Sequence, residues 1–282
     1  MLKSNLGSVS ENIISKIKRV IILGLDGIGN SPKITETPNI HRIFNQGLYT
    51  YNGRTEFPPI SGQCWGTIFH GVLPDQHKLT NDVAYYHTWP NNSSLPSIFR
   101  LVRQKFPNAN LATFSNWAPI NTGILESNLG IHFHTGTDEE MASGLMKYVR
   151  DNDVKLLYLD LDDCDHAGHS RGFFTKDYFK QLQKTDRQVG EILDVIETKK
   201  WFDDSLIMVV TDHGGGGLFL TEHGYNFPQD MTVCFGCCGP LIPHKEIKNF
   251  RIRDIPSIAI SSLGIEKPSF WMGRTISEVL QD

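Results

Sequence analysis

The sequence predicts an α/β protein: a three-layer sandwich in which helices cover both faces of a mostly parallel sheet. Three mostly apolar runs, Arg19–Leu25, Val154–Leu161 and Ser205–Thr211, predict strands, and the first is a short continuous run of the kind found in strands that are buried on both faces. Segments with helical periodicity lie between them, and strands that alternate with helices pair in parallel. A chain of 282 residues is long enough to bury such a core.

The first half of the chain predicts two strands and two helices. Arg19–Leu25 ends at an Asp-Gly pair, which favours a turn after the strand. Thr37 and the proline after it suit the start of a short helix over Asn39–Asn45, because Thr caps helices and Pro fits the first helical position. Leu95–Lys105 then predicts a helix and Asn110–Phe114 a strand.

The second half predicts longer helices around the two other buried strands. Asp138–Val149 begins with acidic residues, which suit the positive end of a helix. Apolar side chains recur every three or four residues from Tyr178 to Ile196, which predicts a long amphipathic helix. Two further helices are expected at Arg253–Leu263 and Ile276–Leu280.

Composition argues against several classes of function. With 27 Lys+Arg and 31 Asp+Glu the net charge is −4, which offers no basic surface to duplex nucleic acid or to an anionic membrane. No run of about 18 apolar residues is present to span a bilayer. Met1 to Ser10 lack the apolar core of a secretory signal, and the 5 cysteines are an odd number, so we expect reduced thiols and a cytoplasmic location.

The chain predicts one main domain. No repeat, low-complexity tract or linker divides it, so we expect an N-terminal extension over residues 1–18 and a single domain over residues 19–282. Cys234, Cys237 and Cys238 form a C-x-x-C-C sequence. Because no second Cys or His pair lies at zinc-finger spacing, we interpret them as small core residues.

Metal-ligand side chains follow each of the three buried strands. Asp26 follows the first, an acidic segment that contains Asp165 follows the second, and Asp212 with His213 follows the third. Ligands of α/β proteins gather at the carboxyl ends of the strands, so these groups are expected to share one edge. For Asp26 alone an ordinary Asp-Gly turn is the simpler interpretation, and the glycine spacing of LGLDGIG does not match a dinucleotide-binding loop.

Spacing favours a metal-ligand function for the other two segments. Asp165 and His169 are four residues apart and can face one cation, a ligand pair suited to Zn²⁺ or Mn²⁺; the alternative is a solvated acidic loop. Asp212, His213 and His223 lie within twelve residues around four glycines. The H-G-G-G sequence also suggests a serine esterase, and that fold needs a G-x-S-x-G sequence on a strand-to-helix turn. The G-x-S-x-G at Gly168–Gly172 begins seven residues after the predicted strand Val154–Leu161 and not at its end, so the esterase interpretation is weak.

Ser61 has two possible roles. It follows a Pro-Pro pair and opens a segment with helical spacing, so a helix N-cap is the common interpretation. A hydroxyl at a helix start also lies where an anion is stabilised, and a nearby divalent cation makes such a hydroxyl a competent nucleophile. The sequence leaves both roles open.

In this order, the motifs make the sequence resemble the alkaline phosphatase superfamily, closest to its nucleotide pyrophosphatase/phosphodiesterase branch. The resemblance extends over nearly the whole chain. The strand-end L-D-G falls on Asp26, and the nucleophile position falls on Ser61. The T-x-x-x-G and P-x-x-H sequences that follow the nucleophile fall on Thr67–Gly71 and Pro74–His77. The D-x-x-G-H falls on Asp165 with His169, the D-H-G on Asp212 with His213, and the last H-G on His223. The sulfatase branch requires a C-x-P-x-R sequence, which Cys64 does not begin.

The resemblance implies an alkaline-phosphatase-like fold with two divalent metal ions, Zn²⁺ with Mn²⁺ as the alternative. One ion would take Asp26, Ser61, Asp212 and His213, and the other would take Asp165, His169 and His223. Ser61 would form a covalent phospho-serine during cleavage of a phosphodiester or nucleotide pyrophosphate bond. Asn81 would bind the phosphate, with Asp82 as the less suitable alternative because its charge repels an anion.

The expected partner is a small phosphate-ester substrate, and the oligomeric state stays open. No large insertion is present to build a cap, so we expect a minimal cap and an open site. Tyr85, Tyr86 and Trp117 are candidates for stacking on the substrate. A phosphomonoesterase, a phosphonate hydrolase or a phosphomutase is the alternative on the same metal centre. A catalytically silent metal-binding scaffold is the alternative from a different class.

Overall fold

The protein is described by a computed structural model that covers residues 11–281. Its centre is one eight-stranded sheet with the strand order β4-β3-β5-β1-β6-β7-β2-β8. The strands are β1 (Arg19–Leu25), β2 (Leu48–Arg54), β3 (Leu111–Ser115), β4 (His132–Thr135), β5 (Leu156–Leu161), β6 (Ser205–Val210), β7 (Thr232–Cys238) and β8 (Lys245–Glu246).

The predicted parallel arrangement is confirmed. The three apolar runs form the adjacent strands β5, β1 and β6, which pair in parallel and are buried along their whole length. Only β7 runs against the other strands, because it pairs antiparallel with both β6 and β2. Strand β1 has the predicted bounds, whereas β5 begins at Leu156, two residues later than expected.

Twelve α-helices surround the sheet in the described part of the chain. They are α1 (described over residues 11–16), α2 (Pro38–Phe44), α3 (Ser61–His70), α4 (Pro74–His77), α5 (Asn81–Tyr86), α6 (Ile98–Lys105), α7 (Asp138–Asp151), α8 (Asp163–Arg171), α9 (Lys176–Thr198), α10 (Pro228–Met231), α11 (Asp254–Ser262) and α12 (Ile276–Val279). Short 3₁₀ turns lie at Ser31–Lys33 and Trp201–Asp203, and a π-helical turn at Ile120–Ile124. None of the helices described is both long and apolar enough to cross a membrane.

Side chains of β1 alternate between two apolar cores, one on each face of the sheet. Val20 and Ile22 join the core that contains α3, α6 and α11. Ile21, Leu23 and Leu25 join the core that contains α2, α7 and α9. This alternation explains why the strand carries no polar side chain after Arg19, and it confirms the predicted three layers.

The cysteines belong to these cores. Cys234, Cys237 and Cys238 lie on β7 and are buried, and all five cysteines are free thiols. Cys237 packs in one core, and Cys234 and Cys238 in the other, as alternating strand positions require. The interpretation of these residues as core side chains is therefore consistent with the structure.

The N-terminal segment packs on the domain where it is described. Residues 1–10 of the predicted extension lie outside the described residues. Ile13 and Ile17 are buried in the same core as α3 and α11. The boundary at residue 19 stays a prediction, but these two side chains contribute to the domain core.

Candidate metal centre and active site

The three strand-end acids meet at one edge of the sheet, because β5, β1 and β6 are neighbours. Asp26 follows β1, and its N–H donates to the carbonyl of Leu161 at the end of β5 (3.0 Å). Asp165 lies in the first turn of α8, directly beyond β5. Gly27 has a φ of 67°, and a Cβ there would come within 2.5 Å of Asp165 Oδ1. The Asp-Gly turn therefore exists, and it also brings two carboxylates together.

The first ligand group is fully buried. Asp26, Asp212 and His213 can each offer one ligand atom within 4.8 Å of the others. His213 Nε2 lies 3.2 Å from Asp212 Oδ2 and 3.6 Å from Asp26 Oδ1. The side chains of these three residues are at most 1% exposed.

The second ligand group is more open. Asp165, His169 and His223 also lie within the distance that one cation can bridge. His169 Nε2 is 3.2 Å from Asp165 Oδ2, and His223 Nε2 is 3.8 Å from Asp165 Oδ1. The His169 side chain is 38% exposed, so this group faces solvent. The rings of His213 and His223 stack with centroids 3.8 Å apart, which places the two groups side by side.

All three histidines are oriented as metal ligands usually are. Nδ1 of His169 faces the carbonyl of Thr221 (2.8 Å), and Nδ1 of His223 that of Pro59 (2.8 Å). Nδ1 of His213 faces the carbonyl of Gly214 (3.0 Å). Since a carbonyl only accepts, each Nδ1 carries a proton, and the Nε2 of each ring faces the site, where its lone pair can serve a cation once Nε2 is unprotonated.

Buried oxygens without hydrogen-bond partners show that these residues fit cations. Such oxygens include Asp26 Oδ1, Asp165 Oδ1 and Asp212 Oδ2, one in each ligand carboxylate. Trp65 Nε1 donates to the other oxygen of Asp26 (2.8 Å), and the His213 N–H to the other oxygen of Asp212 (2.8 Å). An unpaired buried carboxylate oxygen is costly, and a divalent cation removes that cost.

The contact between His169 and His223 also indicates that these residues fit a cation. Their Nε2 atoms lie 3.1 Å apart, each with its own Nδ1 facing a carbonyl. Two lone pairs at that distance repel each other unless a cation or a proton lies between them. A third group of acids, Asp26, Asp162 and Asp165, overlaps both sets and adds negative charge beside them.

Ser61 lies against the first ligand group, and it is not an N-cap. It is the first residue of α3, Ile60 is the capping residue, and no side chain caps this helix. The N-cap interpretation is therefore wrong, because Ile60 occupies the capping position and the Ser61 hydroxyl makes no capping hydrogen bond. Ser61 Oγ lies 3.2 Å from His213 Nε2 and is buried.

Burial and like charges shift the acid–base properties of the site. Burial, followed by repulsion from the charge of Asp212, raises the pKa of Asp26 well above its usual value. Burial and the charge of Asp165 do the same for Asp212. Burial lowers the pKa of His213 to about 3, so its ring is neutral. The hydrogen bond to Asp165 raises the pKa of His169 to about 9. Burial alone would raise the pKa of Asp165, but its contacts with histidines outweigh burial and lower the pKa to about 2.

These shifts predict that cation binding releases protons. At neutral pH without a cation, His169 holds a proton that a cation must displace, whereas His213 is already neutral; the raised pKa values of Asp26 and Asp212 act in the same direction as that of His169. Affinity should rise by about tenfold per pH unit for each displaced proton and level off above a pH of about 9. Calorimetry in buffers of different ionisation enthalpy measures the released protons. His169→Gln should release one proton fewer; affinity that does not change with pH would contradict the prediction.

Asn81 contacts the residue that follows Ser61. The Gly62 N–H donates to Asn81 Oδ1 (2.7 Å), which fixes the amide and orients its NH₂ group away from Gly62. Within residues 11–281 that NH₂ group donates no hydrogen bond to protein. Asn81 is the first residue of α5, and Asp82 beside it is exposed. The NH₂ group of Asn81 is therefore available to donate to a ligand.

The aromatic candidates form one cluster near Asn81. Trp117 Nε1 donates to the hydroxyl of Tyr85 (3.1 Å), and the two rings meet edge to face. Tyr85 and Tyr86 are 58% and 80% exposed. The structure therefore places exposed rings on α5, the helix that Asn81 begins.

Sequence reasoning missed the residues that hold the Ser61 segment. Glu56 is buried and pairs with Arg253 through two contacts, of 2.7 and 3.0 Å. The Thr55 hydroxyl donates to the backbone carbonyl of Asp212. Because 197 positions separate Glu56 from Arg253, only the folded chain reveals the pair.

Removing Arg253 should destabilise the fold. Arg253→Met leaves Glu56 buried without its main partner, and we expect the free energy of unfolding to fall by about 2 kcal/mol. Arg251→Met is the control, because Arg251 is 3.8 Å from Glu56 with a side chain 45% exposed, and it should cost less than about 1 kcal/mol. Urea unfolding measures both variants. Equal losses would contradict a special role for the Arg253 pair.

Comparison with known proteins places the chain in a family. The model of the type I phosphodiesterase / nucleotide pyrophosphatase family matches residues 20–229 of the 282-residue chain. The chain belongs to this family. The family relationship predicted from its motifs is therefore confirmed.

Curated relatives are distant and longer. Ectonucleotide pyrophosphatase/phosphodiesterase family member 7 of Rattus norvegicus is 21% identical over 263 residues, which cover 84% of this chain and 55% of the relative. Family member 1 of Mus musculus is 24% identical over 200 residues, which cover 63% of this chain and 21% of the relative. The chain thus spans little more than half of the rat relative and a smaller part of the mouse one.

Solved structures confirm the predicted fold. A 2-O GAG sulfatase superposes with a TM-score of 0.76 at 13% identity, covering 94% of this chain and 74% of the sulfatase. An inactive variant of murine ectonucleotide pyrophosphatase/phosphodiesterase 5 in complex with AMP has a TM-score of 0.73 at 12% identity, covering 93% of this chain and 99% of that protein. The fold is that of the alkaline phosphatase superfamily.

Proposed function

We propose that this protein is a metal-dependent hydrolase that cleaves phosphodiester or nucleotide pyrophosphate bonds through a covalent phospho-serine. The observation that carries the proposal is the buried Ser61 hydroxyl, which makes no helix cap and lies 3.2 Å from His213 beside two ligand groups. Membership of the family and the AMP bound to the murine structural relative support a small nucleotide substrate.

Two divalent cations are proposed as cofactors, Zn²⁺ with Mn²⁺ as the alternative. One would be held by Asp26, Ser61, Asp212 and His213, and the other by Asp165, His169 and His223. When bound, such cations lower the pKa of a nearby hydroxyl and neutralise charge on phosphoryl oxygens. Neutral imidazoles together with carboxylates form the donor set that Zn²⁺ and Mn²⁺ accept.

Ser61 acts as the nucleophile in this proposal. Its Oγ gives its proton to solvent and forms a bond to phosphorus, while the bond from phosphorus to the leaving oxygen breaks and that oxygen takes up a proton from solvent. Water then attacks the phospho-serine, which releases a phosphomonoester and restores the hydroxyl of Ser61. Because Ser61 begins α3, the free N–H groups and dipole of that helix favour the negative charge of the phosphoryl group.

Asn81 is proposed to bind the phosphoryl oxygens through its NH₂ group. Asn81→Ala should lower kcat/KM by about 100-fold, the usual cost of one oxyanion donor. Asn81→Asp should lower it further, because a carboxylate repels the phosphoryl group. Steady-state kinetics on bis-p-nitrophenyl phosphate measures both variants. Asn91→Ala, an amide change on the loop before α6, is the control that should retain activity.

A panel of substrates tests the proposal. Protein loaded with Zn²⁺ or Mn²⁺ is assayed on a diester (bis-p-nitrophenyl phosphate), a monoester (p-nitrophenyl phosphate), a nucleotide pyrophosphate and a phosphonate. Fastest turnover of the diester or pyrophosphate supports the proposal, and fastest turnover of the monoester or phosphonate would favour those alternative hydrolases. No turnover of any member would favour the silent scaffold.

We also propose a cytoplasmic location and a single domain with a minimal cap. All five cysteines are buried free thiols, and none of them forms a disulfide in the structure, which supports a location in a reducing compartment. Only about twenty residues separate β6 from β7, and they contain His213, His223 and α10, which leaves little chain for a cap. Detection of a fluorescent fusion outside the cytoplasm would overturn the proposed location.

A further inference from the structure

The two oxygens of the Asp26 carboxylate have different surroundings. Oδ1 lies 3.6 Å from His213 Nε2, and within residues 11–281 it has no hydrogen-bond partner. Oδ2 accepts a hydrogen bond from Trp65 Nε1 (2.8 Å). Because an indole N–H can only donate, this contact holds Oδ2 against Trp65 and leaves Oδ1 as the oxygen that faces the first ligand group.

Packing against two central strands fixes the indole of Trp65. Trp65 belongs to α3 and is fully buried, and its ring meets that of Tyr158 on β5 edge to face with centroids 5.6 Å apart. Gly24 on β1 lies against the same indole, and a Cβ there would come within 2.8 Å of Trp65 Cη2. The Asp26 carboxylate therefore cannot turn away from Trp65 without leaving a buried donor unpaired, which is costly.

Asp212 also presents a single oxygen to the first ligand group. Its Oδ1 accepts from the N–H groups of Gly27 (3.3 Å) and His213 (2.8 Å), whereas its Oδ2 has no hydrogen-bond partner in the described part of the chain. The group thus offers four donor atoms, which are Asp26 Oδ1, Asp212 Oδ2, His213 Nε2 and Ser61 Oγ. Zn²⁺ usually takes four ligands in proteins, whereas Mn²⁺ prefers six, mostly oxygens. Backbone groups set the donor number of Asp212, but a side chain, Trp65, sets that of Asp26.

We propose that Trp65 is a positioning residue that limits Asp26 to one donor oxygen, and that the first ligand group thereby selects cations of low coordination number. Without the indole N–H, no side-chain donor holds Oδ2, and the carboxylate can turn to present both of its oxygens to a cation. The inference rests on the proposed metal-dependent function, but it concerns the binding of cations and not the turnover of a substrate.

Trp65→Phe tests the inference, because phenylalanine keeps an aromatic ring but has no N–H. Every protein in the test also carries His169→Gln, which removes a ligand from the second group, so that calorimetric titrations with Zn²⁺ and Mn²⁺ report on the first. We expect the affinity for Zn²⁺ to fall about 30-fold, since the ligand Asp26 loses its support. The affinity for Mn²⁺ should fall less than about threefold, because the released oxygen adds a donor that Mn²⁺ accepts, so the ratio of the two affinities falls about tenfold.

Trp271→Phe is the matched control. Trp271 is buried in the same apolar core as Trp65, but its Nε1 has no hydrogen-bond partner among residues 11–281. This variant removes the same atoms from the core and should leave the affinity ratio unchanged. An unchanged ratio in Trp65→Phe, or an equal change in Trp271→Phe, would overturn the inference.

If Trp65→Phe does not fold, the visible absorption of Co²⁺ bound to the His169→Gln protein decides the inference. The intense bands of a four-coordinate ion support it, and the weak bands of a six-coordinate ion would overturn it. Turnover of bis-p-nitrophenyl phosphate by the wild type tests the hydrolase function separately. An inactive protein that shows the expected affinity ratios would refute the function alone, whereas a protein that binds none of these cations would refute both.

Discussion

Ser61→Ala should lower kcat on bis-p-nitrophenyl phosphate by on the order of 10⁴-fold or more, while the protein still folds and still binds its cations. The alanine removes the hydroxyl whose Oγ lies 3.2 Å from His213 Nε2 and which is not occupied in capping a helix. The change deletes one oxygen from a position that no helix cap depends on, so stability should change little. Steady-state kinetics and metal analysis measure the two effects.

Ser61→Thr is the matched control, because threonine carries the same hydroxyl on a β-branched side chain. We expect it to keep activity within about tenfold of the wild type and to trap the same phospho-enzyme on rapid acid quenching. Ser61→Ala should yield no labelled phospho-enzyme. Full activity in Ser61→Ala would exclude the covalent route and indicate direct attack by water.

The central strands of the sheet could be predicted from the sequence because they are buried on both faces. After Arg19 the segment to Leu25 contains no polar side chain, so neither neighbours nor register were needed to recognise a strand. β2 was missed because Asn52 and Gly53 interrupt its alternation, and its partner β7 lies about 180 residues further along the chain. The pairing of distant strands depends on tertiary packing, which a local pattern does not record.

The ligand groups were predictable for a related reason. Strand ends place Asp26, Asp165 and Asp212 on one edge, and the i, i+4 spacing places His169 beside Asp165. The orientation of each imidazole was not predictable, because it depends on backbone carbonyls such as that of Pro59, which is 164 positions from His223. The role of Ser61 was also ambiguous, since base rates favour an N-cap and only the structure shows Ile60 in that position.

Asp212→Asn should remove the first cation and yet stabilise the metal-free protein. Asn keeps an oxygen for the N–H groups of Gly27 (3.3 Å) and His213 (2.8 Å), and it replaces the unpaired Oδ2 by an NH₂ group. Without a cation this oxygen is a buried acceptor with no donor, in a carboxyl whose pKa burial and Asp165 raise. The variant should therefore gain about 1 kcal/mol of stability in the presence of a chelator.

Asp212→Asn should weaken cation binding by more than about 100-fold and lower kcat by a similar factor or more. The loss is this large because the change removes a metal ligand itself and not a residue that only positions a ligand. Asp163→Asn is the matched control: it lies on the same edge, is 3.5 Å from Lys184 and belongs to neither ligand group. It should keep metal affinity and activity.

Thermal unfolding with and without Zn²⁺ distinguishes the outcomes, since the wild type should gain stability from the metal and Asp212→Asn should gain much less. A variant that lost stability with chelator present would show that the carboxylate serves the fold and not a cation.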